Sequence, residues 1–377
     1  MKRLVFLILA VVCSVSRVFD HASDEKCAWH ASPLPERESV FVSDPAWRGA
    51  DAAYSVPLSP TKTLWLYGDT WITPPNARGR ANGRMIRNSL AIQTLNADGT
   101  GAVEFFWKTG SGHPADAFAP DSGPGWLWPL SGLRIGDTLY LFLTQLIESK
   151  SGLGFASYRS ILLLISNPDE LPQRWQTRQV EIPFFHHSEN GDLNFGIASF
   201  VEGDFVYVYG VREDWTQGMG GRSVIIARTP AKALRQPDFS AWRFYSAGAW
   251  TDDLPKATAL FAEAGAEMSV SYLAGVKKFA AVYSLVFSPE TVARLAPRPE
   301  GPWEKPTVLY KCPEVSWNKR YGCYAGKAHP ELATTANELI VTYAANSQDF
   351  GDQLRDLRLY WPRFVRVTVD CSTAKEK

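Results

Sequence analysis

The sequence predicts an all-β protein built as a five-bladed β-propeller. Strand-like runs dominate the chain and helical periodicity is scarce. A paired pattern recurs along the sequence, in which a short segment and a turn precede a strand rich in Leu, Val and Tyr. Each unit extends over roughly 60 to 80 residues, which is enough chain for three or four antiparallel strands with long loops.

The units can be followed in order along the chain. Their paired segments are DAAYSVPL with KTLWLYGDTW, WPLSGLRI with DTLYLFLTQL, FGIASFVE with DFVYVYGVRE, EMSVSYLA with KFAAVYSLVF, and HPELATTA with ELIVTYAANS. A further strand-like run follows each pair, namely NSLAIQTL, RSILLLIS, RSVIIART, ETVARLAP and RFVRVTVD. Sheets that bury both faces against their neighbours explain why these strands are apolar on successive residues.

The ring must close where the last unit meets the first. ESVFVSD, residues 38–44, precedes the first unit and is expected to be a strand that completes the sheet containing RFVRVTVD. A β-sandwich or two separate β domains is the alternative architecture.

The first 22 residues predict a signal peptide, which leaves residues 23–377 as a single propeller domain. Lys2 and Arg3 precede the apolar run LVFLILAVVCSV, which has signal-peptide length and is too short to span a bilayer. Cleavage would release an exported protein into the periplasm or the medium. LAVVC also resembles a lipoprotein attachment site at Cys13, although Val12 fits that motif poorly.

Export makes the remaining cysteines informative, because disulfides persist outside the cytoplasm. Cys27, Cys312, Cys323 and Cys371 allow three pairings. Cys312 and Cys323 flank a loop-like stretch, and a bond between them would hold the two ends of that loop together. Cys27 and Cys371 lie near the two ends of the mature chain, and a bond there would lock the ring. Four free thiols are the alternative.

Composition restricts the partners. Lys and Arg together number 39, as do Asp and Glu, so the formal net charge is zero. This balance argues against nucleic acid or an anionic membrane as a partner, because such binding is driven by positive charge. The 14 tryptophans serve either as core residues of a β protein or as stacking platforms for sugar rings. We expect a monomer that binds carbohydrate and uses neither an organic cofactor nor a metal.

The chemistry is expected at the central channel. If the first segment of each unit lines the channel, its mouth collects one side chain from each unit: Asp51, Trp128, Asn194, Glu267 and His329. Asp69 ends the next strand of the first unit and lies nearby. Carboxylates, amides and indoles in one cleft suit a carbohydrate.

Asp51 and Asp69 are the predicted catalytic pair, and Glu267 is a candidate third acid. A glycosidase needs one carboxylic acid to protonate the leaving oxygen and one carboxylate as base or nucleophile. Neighbouring acids in one apolar-walled site push their pKa values apart, which supplies both protonation states. The alternative is that both aspartates only cap turns.

Six residues are predicted to bind substrate: Trp126, Trp128, Arg87, Asn88, Asn194 and His329. Arg87 and Asn88 could steer a substrate hydroxyl or carboxylate, or Arg87 could form a plain ion pair. His329 could bind substrate or a central cation, or be a hydrogen-bonded core histidine.

The first unit also carries a family resemblance. DPAWRGADAAYSVPL followed by LWLYGDTW resembles the five-bladed propeller proteins that include bacterial endo-D-arabinanases, glycoside hydrolase family 183 (DUF4185-like). NSLAIQT, WPLSG and NFGIAS continue the likeness over most of the mature chain. The resemblance implies Asp51 and Asp69 as catalytic pair and arabinofuranosidic bonds of a cell-wall polysaccharide as substrate. A non-catalytic carbohydrate-binding propeller and a protein-binding propeller are the alternatives.

Overall fold

The computed structural model describes residues 26–97, 100–150, 154–285 and 288–372. The predicted signal peptide and Cys13 lie outside these ranges. Two short α-helices occur within them, α1 (Pro35–Phe41) and α2 (Gly351–Arg355). Short 3-10 helices cover Pro172–Arg174, Trp215–Gly220, Ala231–Leu234, Phe239–Ala241, Leu254–Lys256, Pro313–Ser316 and Pro330–Leu332. No helix in the described ranges has the length and apolar character needed to cross a membrane.

Strands make up most of the ordered structure, as the sequence predicts. In chain order they are β1 (Lys26–Pro33), β2 (Trp47–Ala50), β3 (Tyr54–Ser59), β4 (Lys62–Tyr67), β5 (Thr70–Ile72), β6 (Arg84–Ile86), β7 (Ser89–Leu95), β8 (Gly101–Phe106), β9 (Lys108–Gly110), β10 (His113–Ala115), β11 (Trp126–Ile135), β12 (Thr138–Glu148), β13 (Phe155–Ile165), β14 (Thr177–Ile182), β15 (His186–Ser188), β16 (Gly191–Glu202), β17 (Phe205–Glu213), β18 (Arg222–Pro230), β19 (Arg243–Ser246), β20 (Ala249–Thr251), β21 (Phe261–Ala262), β22 (Ala264–Leu273), β23 (Lys278–Leu285), β24 (Glu290–Ala296), β25 (Thr307–Lys311), β26 (Tyr321–Ala328), β27 (Glu338–Ser347) and β28 (Pro362–Ser372).

These strands form antiparallel sheets that follow the predicted units. In the described part of the chain, sheets of four or more strands have the orders β3-β4-β7-β8, β11-β12-β13-β14, β15-β16-β17-β18-β19-β20, β22-β23-β24-β25 and β1-β28-β27-β26. Two smaller sheets accompany the first large sheet: β2-β5-β6, whose strands lie before β3 and between β4 and β7, and β9-β10, between β8 and β11. The all-β class is confirmed.

One strand of each large sheet faces a common centre. β3 packs on β11, β11 on β16, β16 on β22, and β22 on β26. Ser131 Oγ lies 2.8 Å from Ser199 Oγ between β11 and β16. Ser55 Oγ lies 2.6 Å from Nδ1 of His329, which connects β3 to the end of β26. The inner strands β3, β11, β16, β22 and β26 therefore surround a central channel.

The strand predicted for residues 38–44 is wrong, because this segment belongs largely to α1. Pro35 stands in the first turn, where its missing N–H and fixed φ favour a helix start. Glu36 and Glu38 in the same turn interact favourably with the helix dipole. Closure comes instead from β1, which pairs with β28 along its whole length.

Both predicted disulfides are present. Cys27 and Cys371 face each other in the β1–β28 pair and are bonded, so the two ends of the described chain are covalently joined. Cys312 is bonded to Cys323, which ties the short helix at Pro313–Ser316 to the beginning of β26. Within the described ranges every cysteine is therefore in a disulfide.

The predicted inner segment of the fifth unit, residues 329–336, is also wrong. The inner strand is β26, which ends at Ala328 immediately before it. Pro330 lacks a donor for a strand ladder and instead begins a 3-10 turn. This shift moves His329 away from the channel mouth that holds the aspartates and towards the opposite end of β26.

Strand β4 explains why an apolar run leads to the first Gly-Asp-Thr sequence. Leu64 and Leu66 pack into the main core, whereas Trp65 and Tyr67 pack into a second core on the other face of the sheet. All four side chains are fully buried, and burial of each leucine stabilises the fold by about 1.5–3 kcal/mol. The rigid strand thus delivers Gly68 and Asp69 to the channel mouth.

Candidate active site

The turn before β3 positions the first carboxylate. Ala52 and Ala53 both have left-handed backbone conformations, with φ of 65° and 53°. The carbonyl oxygen of Asp51 accepts from the N–H of Ala53 at 2.9 Å and of Gly68 at 3.3 Å. A Cβ on Gly68 would lie 2.5 Å from Oδ1 of Asp51. Gly68 therefore leaves the space that the Asp51 carboxyl group occupies.

A chain of hydrogen bonds supports the Asp51 carboxyl group. Tyr324 donates its hydroxyl proton to Oδ2 of Asp51 at 2.8 Å. Asn346 donates to the Tyr324 oxygen at 3.3 Å, and Gln353 donates to Oδ1 of Asn346 at 2.8 Å. The indole N–H of Trp71 completes the chain by donating to Oε1 of Gln353 at 2.7 Å. Gln353, in the loop between β27 and β28, thus helps to fix the Asp51 carboxyl group, which lies just before β3.

Arg80 holds that loop in place. Its guanidinium is almost fully buried and donates to the carbonyl oxygens of Gln353 at 2.8 Å and Leu359 at 2.6 Å. Burial lowers the pKa of Arg80 to about 10. Tyr360, which follows with a left-handed φ of 68°, turns its hydroxyl group to Asp51 as a second hydrogen-bond donor.

Asp69 has a different environment. Trp128 donates its indole N–H to Oδ1 at 3.0 Å, and Arg87 Nη1 lies 3.3 Å from Oδ2. Only 17% of the Asp69 side chain is exposed. Burial raises the pKa of Asp69 above its usual value, whereas the positive charge of Arg87 and the Trp128 hydrogen bond oppose that rise.

The two predicted tryptophans lie beside Asp69. Trp128 is half-buried and contacts Phe155 edge-to-face at 4.8 Å. Trp126 is buried, with the guanidinium of Arg87 stacked 4.3 Å above its ring. Trp128 is therefore the indole available to a ligand, while Trp126 supports Arg87.

Glu267 completes the group of acids. It lies in a bulge of β22, and its Oε2 is 2.7 Å from Nζ of Lys327. Lys327 is 1% exposed, whereas Glu267 is 17% exposed. The ammonium also donates to the carbonyl oxygens of Ala325, at 2.7 Å, and Ala52. A fixed buried cation thus holds this carboxylate at the channel.

The three carboxyl groups interact electrostatically. Burial, the most important cause, together with the charges of Asp69 and Glu267 raises the pKa of Asp51 to about 8. The hydrogen bonds from Tyr324 and Tyr360 act in the opposite direction but are outweighed. Asp51 is therefore protonated at neutral pH. Asp69, by contrast, has the positive charge of Arg87 beside it.

Three of the predicted substrate-binding residues are enclosed. Asn88 is fully buried and donates to the carbonyl oxygens of Phe118 and Leu127, both at 2.8 Å. Asn194 is buried and accepts from Ser160. Asn88 thus holds two neighbouring segments together and Asn194 links β16 to β13, so we assign both a structural role.

His329 is the third enclosed residue. It is fully buried, and its ring nitrogens lie 2.6 Å from Ser55 Oγ and 2.7 Å from Thr342 Oγ1. Burial and the charge of Lys327 hold its pKa well below the usual value. These contacts correspond to a neutral core histidine rather than to a ligand of substrate or cation.

The structure adds residues that the sequence did not single out. Tyr324 and Tyr360 bond to Asp51, and Lys327 bonds to Glu267, from segments far along the chain. Lys327 could have been predicted from the sequence to pair with a buried acceptor, because a lysine inside an apolar strand needs a buried partner. Among the described residues, one group has metal-ligand composition, Cys312, Glu314 and Cys323, and both its cysteines are in the disulfide.

The fold and site define an all-β protein of propeller type with a cluster of acids at one mouth of its channel. The family described as a domain of unknown function, DUF5005, matches residues 37–369. The chain belongs to this family. The resemblance of the first unit to the endo-D-arabinanase family stays a prediction. No curated protein compared with the sequence gives a significant match.

Several solved structures are similar to this chain. A protein of Bacteroides ovatus, described as a candidate hydrolase, superposes with a TM-score of 0.69 at 16% identity, covering 90% of each chain. A thermostable family-43 glycoside hydrolase gives 0.46 at 13% identity, covering 87% of this chain and 95% of that one. An exo-1,5-α-L-arabinanase from a bovine ruminal metagenomic library gives 0.43 at 9% identity, covering 85% and 93%. The first shows a common fold, and the two lower scores carry no argument about activity.

Proposed function

We propose that this protein is an exported glycoside hydrolase whose five large sheets are the blades of one β-propeller. The main support for this proposal is that Asp51 and Asp69 lie close enough to interact electrostatically yet have different hydrogen-bond and ion-pair partners. Asp51 is bonded to neutral tyrosine hydroxyl groups and has a pKa of about 8. Asp69 is bonded to the guanidinium of Arg87 and the indole of Trp128. Such a difference supplies one acid and one carboxylate at the same pH.

The roles follow from these environments. Asp51, protonated near neutral pH, donates its proton to the leaving glycosidic oxygen. Asp69, ionised beside Arg87, acts on the other side of the bond as base or nucleophile. Glu267 stays paired with Lys327 and contributes fixed negative charge that favours a cationic sugar-like transition state. Trp128 offers an indole for the sugar.

The substrate class is proposed from the motif resemblance. Arabinofuranosidic bonds of a cell-wall polysaccharide are the first choice. The two disulfides favour an oxidising location, which is where such a polymer would be met. A carbohydrate partner also fits a chain without net charge.

Release of reducing sugar from a polysaccharide panel tests the proposal. Asp51→Asn and Asp69→Asn should each lower the rate by about 100-fold or more, whereas Asp253→Asn, on an ion pair with Lys256, should leave it unchanged. A nitrophenyl arabinofuranoside separates the roles, because its leaving group needs no protonation. Asp51→Asn should retain far more activity on it than Asp69→Asn does. Equal losses on both substrates would contradict Asp51 as the acid.

A non-catalytic carbohydrate-binding protein is the second candidate. The observation that favours it is that Asp69 and Glu267 are both already bonded to protein cations. Binding of a polysaccharide without release, unchanged in Asp51→Asn, would establish this function in place of hydrolysis.

A further inference from the structure

A separate cavity lies at the other end of the central channel. Its volume is about 560 Å³, and all five inner strands or the residues just after them line it. The candidate active site uses early residues of these strands, such as Trp128 in β11 and Glu267 in β22. The cavity uses later ones, such as Gly132 in β11 and Ser271 in β22. Because a strand advances about 3.3 Å per residue, the two sites open at opposite mouths.

Lys327 and Tyr54 separate this far-end cavity from the acids. The Lys327 ammonium lies 4.4 Å from the centre of the Tyr54 ring and contacts Glu267 at 2.7 Å on the active-site side. It also donates to the carbonyl oxygens of Ala325 and Ala52. The ammonium is thus fully used by protein acceptors and lies between the Tyr54 ring and the Glu267 carboxylate.

Hydroxyl groups dominate the polar lining of the cavity. Its serines come from four of the inner strands: Ser55, Ser131, Ser199, Ser269 and Ser271. Ser271 is only 8% exposed, and its Oγ has no hydrogen-bond partner among the described residues. Oε1 of Glu331, in the same lining, is buried without a partner as well. A buried polar atom without a partner loses its hydrogen bonds to water and gains none from the protein, so a ligand or a water molecule would satisfy both atoms.

An aromatic wall faces these hydroxyl groups. Tyr272 is 50% exposed, and its ring meets Phe279 edge-to-face at 5.2 Å. Phe279 in turn stacks on Phe200 at 5.5 Å. All three residues line the cavity. An exposed ring on a rigid aromatic support is a surface on which the apolar face of a sugar packs.

Charge excludes anions from this cavity. Its two cations are already paired, Arg134 with Asp169 at 2.7 Å and Lys327 with Glu267 at 2.7 Å. Glu202 and Glu331 have no ion-pair partner in the described part of the chain. A ligand must therefore be uncharged, or at least not negative.

We propose that the far-end cavity is a second site, for a neutral sugar or polyol, independent of the acids at the first mouth. The free Oγ of Ser271 and the free oxygen of Glu331 hydrogen-bond to ligand hydroxyl groups, and Tyr272 packs on the ring. The volume accommodates one or two sugar rings. This inference does not depend on hydrolysis, because the lining residues are distinct from Asp51 and Asp69.

Saturation-transfer NMR with L-arabinose, D-glucose and glycerol tests this site. We expect at least one of these probes to bind with millimolar affinity. Tyr272→Ala should weaken that binding about fivefold or more, and Ser271→Val should weaken it too. Tyr158→Ala, which removes another half-exposed tyrosine, should not. Thermal melting of each variant verifies that the fold is retained.

An active-site variant separates the two mouths. Asp69→Asn should leave binding at the far-end cavity unchanged even if it abolishes hydrolysis. No binding by any probe, or binding lost in Asp69→Asn and retained in Tyr272→Ala, would overturn the proposal. A rise in melting temperature with calcium chloride but with none of the sugars would also overturn it, in favour of a cation.

Discussion

The hydroxyl group of Tyr324 donates a 2.8 Å hydrogen bond to Oδ2 of Asp51, although the residues are 273 positions apart. Asp51 precedes the inner strand of the first sheet, and Tyr324 lies on the inner strand of the last. The bond therefore crosses the seam where the ring closes. It favours the ionised carboxyl group and so moderates a pKa that burial raises to about 8.

Removing this hydrogen bond should move the pH dependence of activity. Tyr324→Phe should raise the pKa of Asp51 further, so the alkaline limb of kcat/KM should shift upward by roughly one pH unit. Tyr321→Phe, which removes a hydroxyl group bonded to Asp356 at 3.0 Å, is the matched control. An unmoved alkaline limb in Tyr324→Phe would show that Asp51 does not govern it.

Asp51 should also make stability depend on pH. A carboxyl group whose pKa rises from 3.8 to about 8 on folding binds its proton more tightly in the folded state. Its contribution is complete below the unfolded pKa and is lost as the pH rises through about 8. The melting temperature of Asp51→Asn should therefore exceed that of the wild type by roughly 2–5 °C near pH 9 and by less near pH 5. Calorimetry at both pH values measures this difference, and a gain that is the same at both would contradict the raised pKa.

Gly68 should matter for chemistry more than for folding. Gly68→Ala places a methyl group 2.5 Å from Oδ1 of Asp51, so the carboxyl group must rotate out of position. We expect activity to fall by about 10- to 100-fold with a small change in melting temperature. Gly322→Ala adds a methyl group with nothing within 4 Å and is the control. Full activity in Gly68→Ala would argue that Asp51 need not keep this position.

The pair between Lys327 and Glu267 should show strong coupling. Lys327→Met leaves the Glu267 carboxylate without its cation, and we expect a loss of about 1–3 kcal/mol in the free energy of unfolding. Because Glu267 is partly exposed, water should offset part of that loss. Lys327→Met combined with Glu267→Gln should recover some of it, which denaturant titration of all four proteins in a double-mutant cycle would measure. Strict additivity would show that the two groups do not interact.

Ring closure should depend on the disulfide between its ends. Replacing Cys27 and Cys371 by serine should lower the free energy of unfolding by about 2–5 kcal/mol. Replacing Cys312 and Cys323 should cost less, because that bond closes a sequence separation of 11 rather than 344. Denaturant unfolding of the two double variants under oxidising conditions compares these values. A larger loss in the short-loop variant would contradict this ranking.

Much of the fold could be predicted from the chain itself. The apolar character of β4 and its counterparts required sheets buried on both faces, and the five repeated units correspond to five large sheets. The two failures were local. Residues 38–44 contain the strand-like run VFV, but Pro35 with Glu36 and Glu38 favours a helix. Pro330 ends the fifth inner strand earlier than the repeat pattern indicated.

What the sequence determined by itself is the class of the fold and the placement of Asp51 and Asp69 beside strand ends, because strand periodicity and turn chemistry are local properties. It left three pairings of Cys27, Cys312, Cys323 and Cys371 open, and the structure decided between them. Tertiary structure alone decided which groups surround those acids. Tyr324 and Lys327 reach them only because the last sheet packs against the first, and burial and neighbouring charge set a pKa through distances in space. The spacing of residues along the chain does not predict these distances in space.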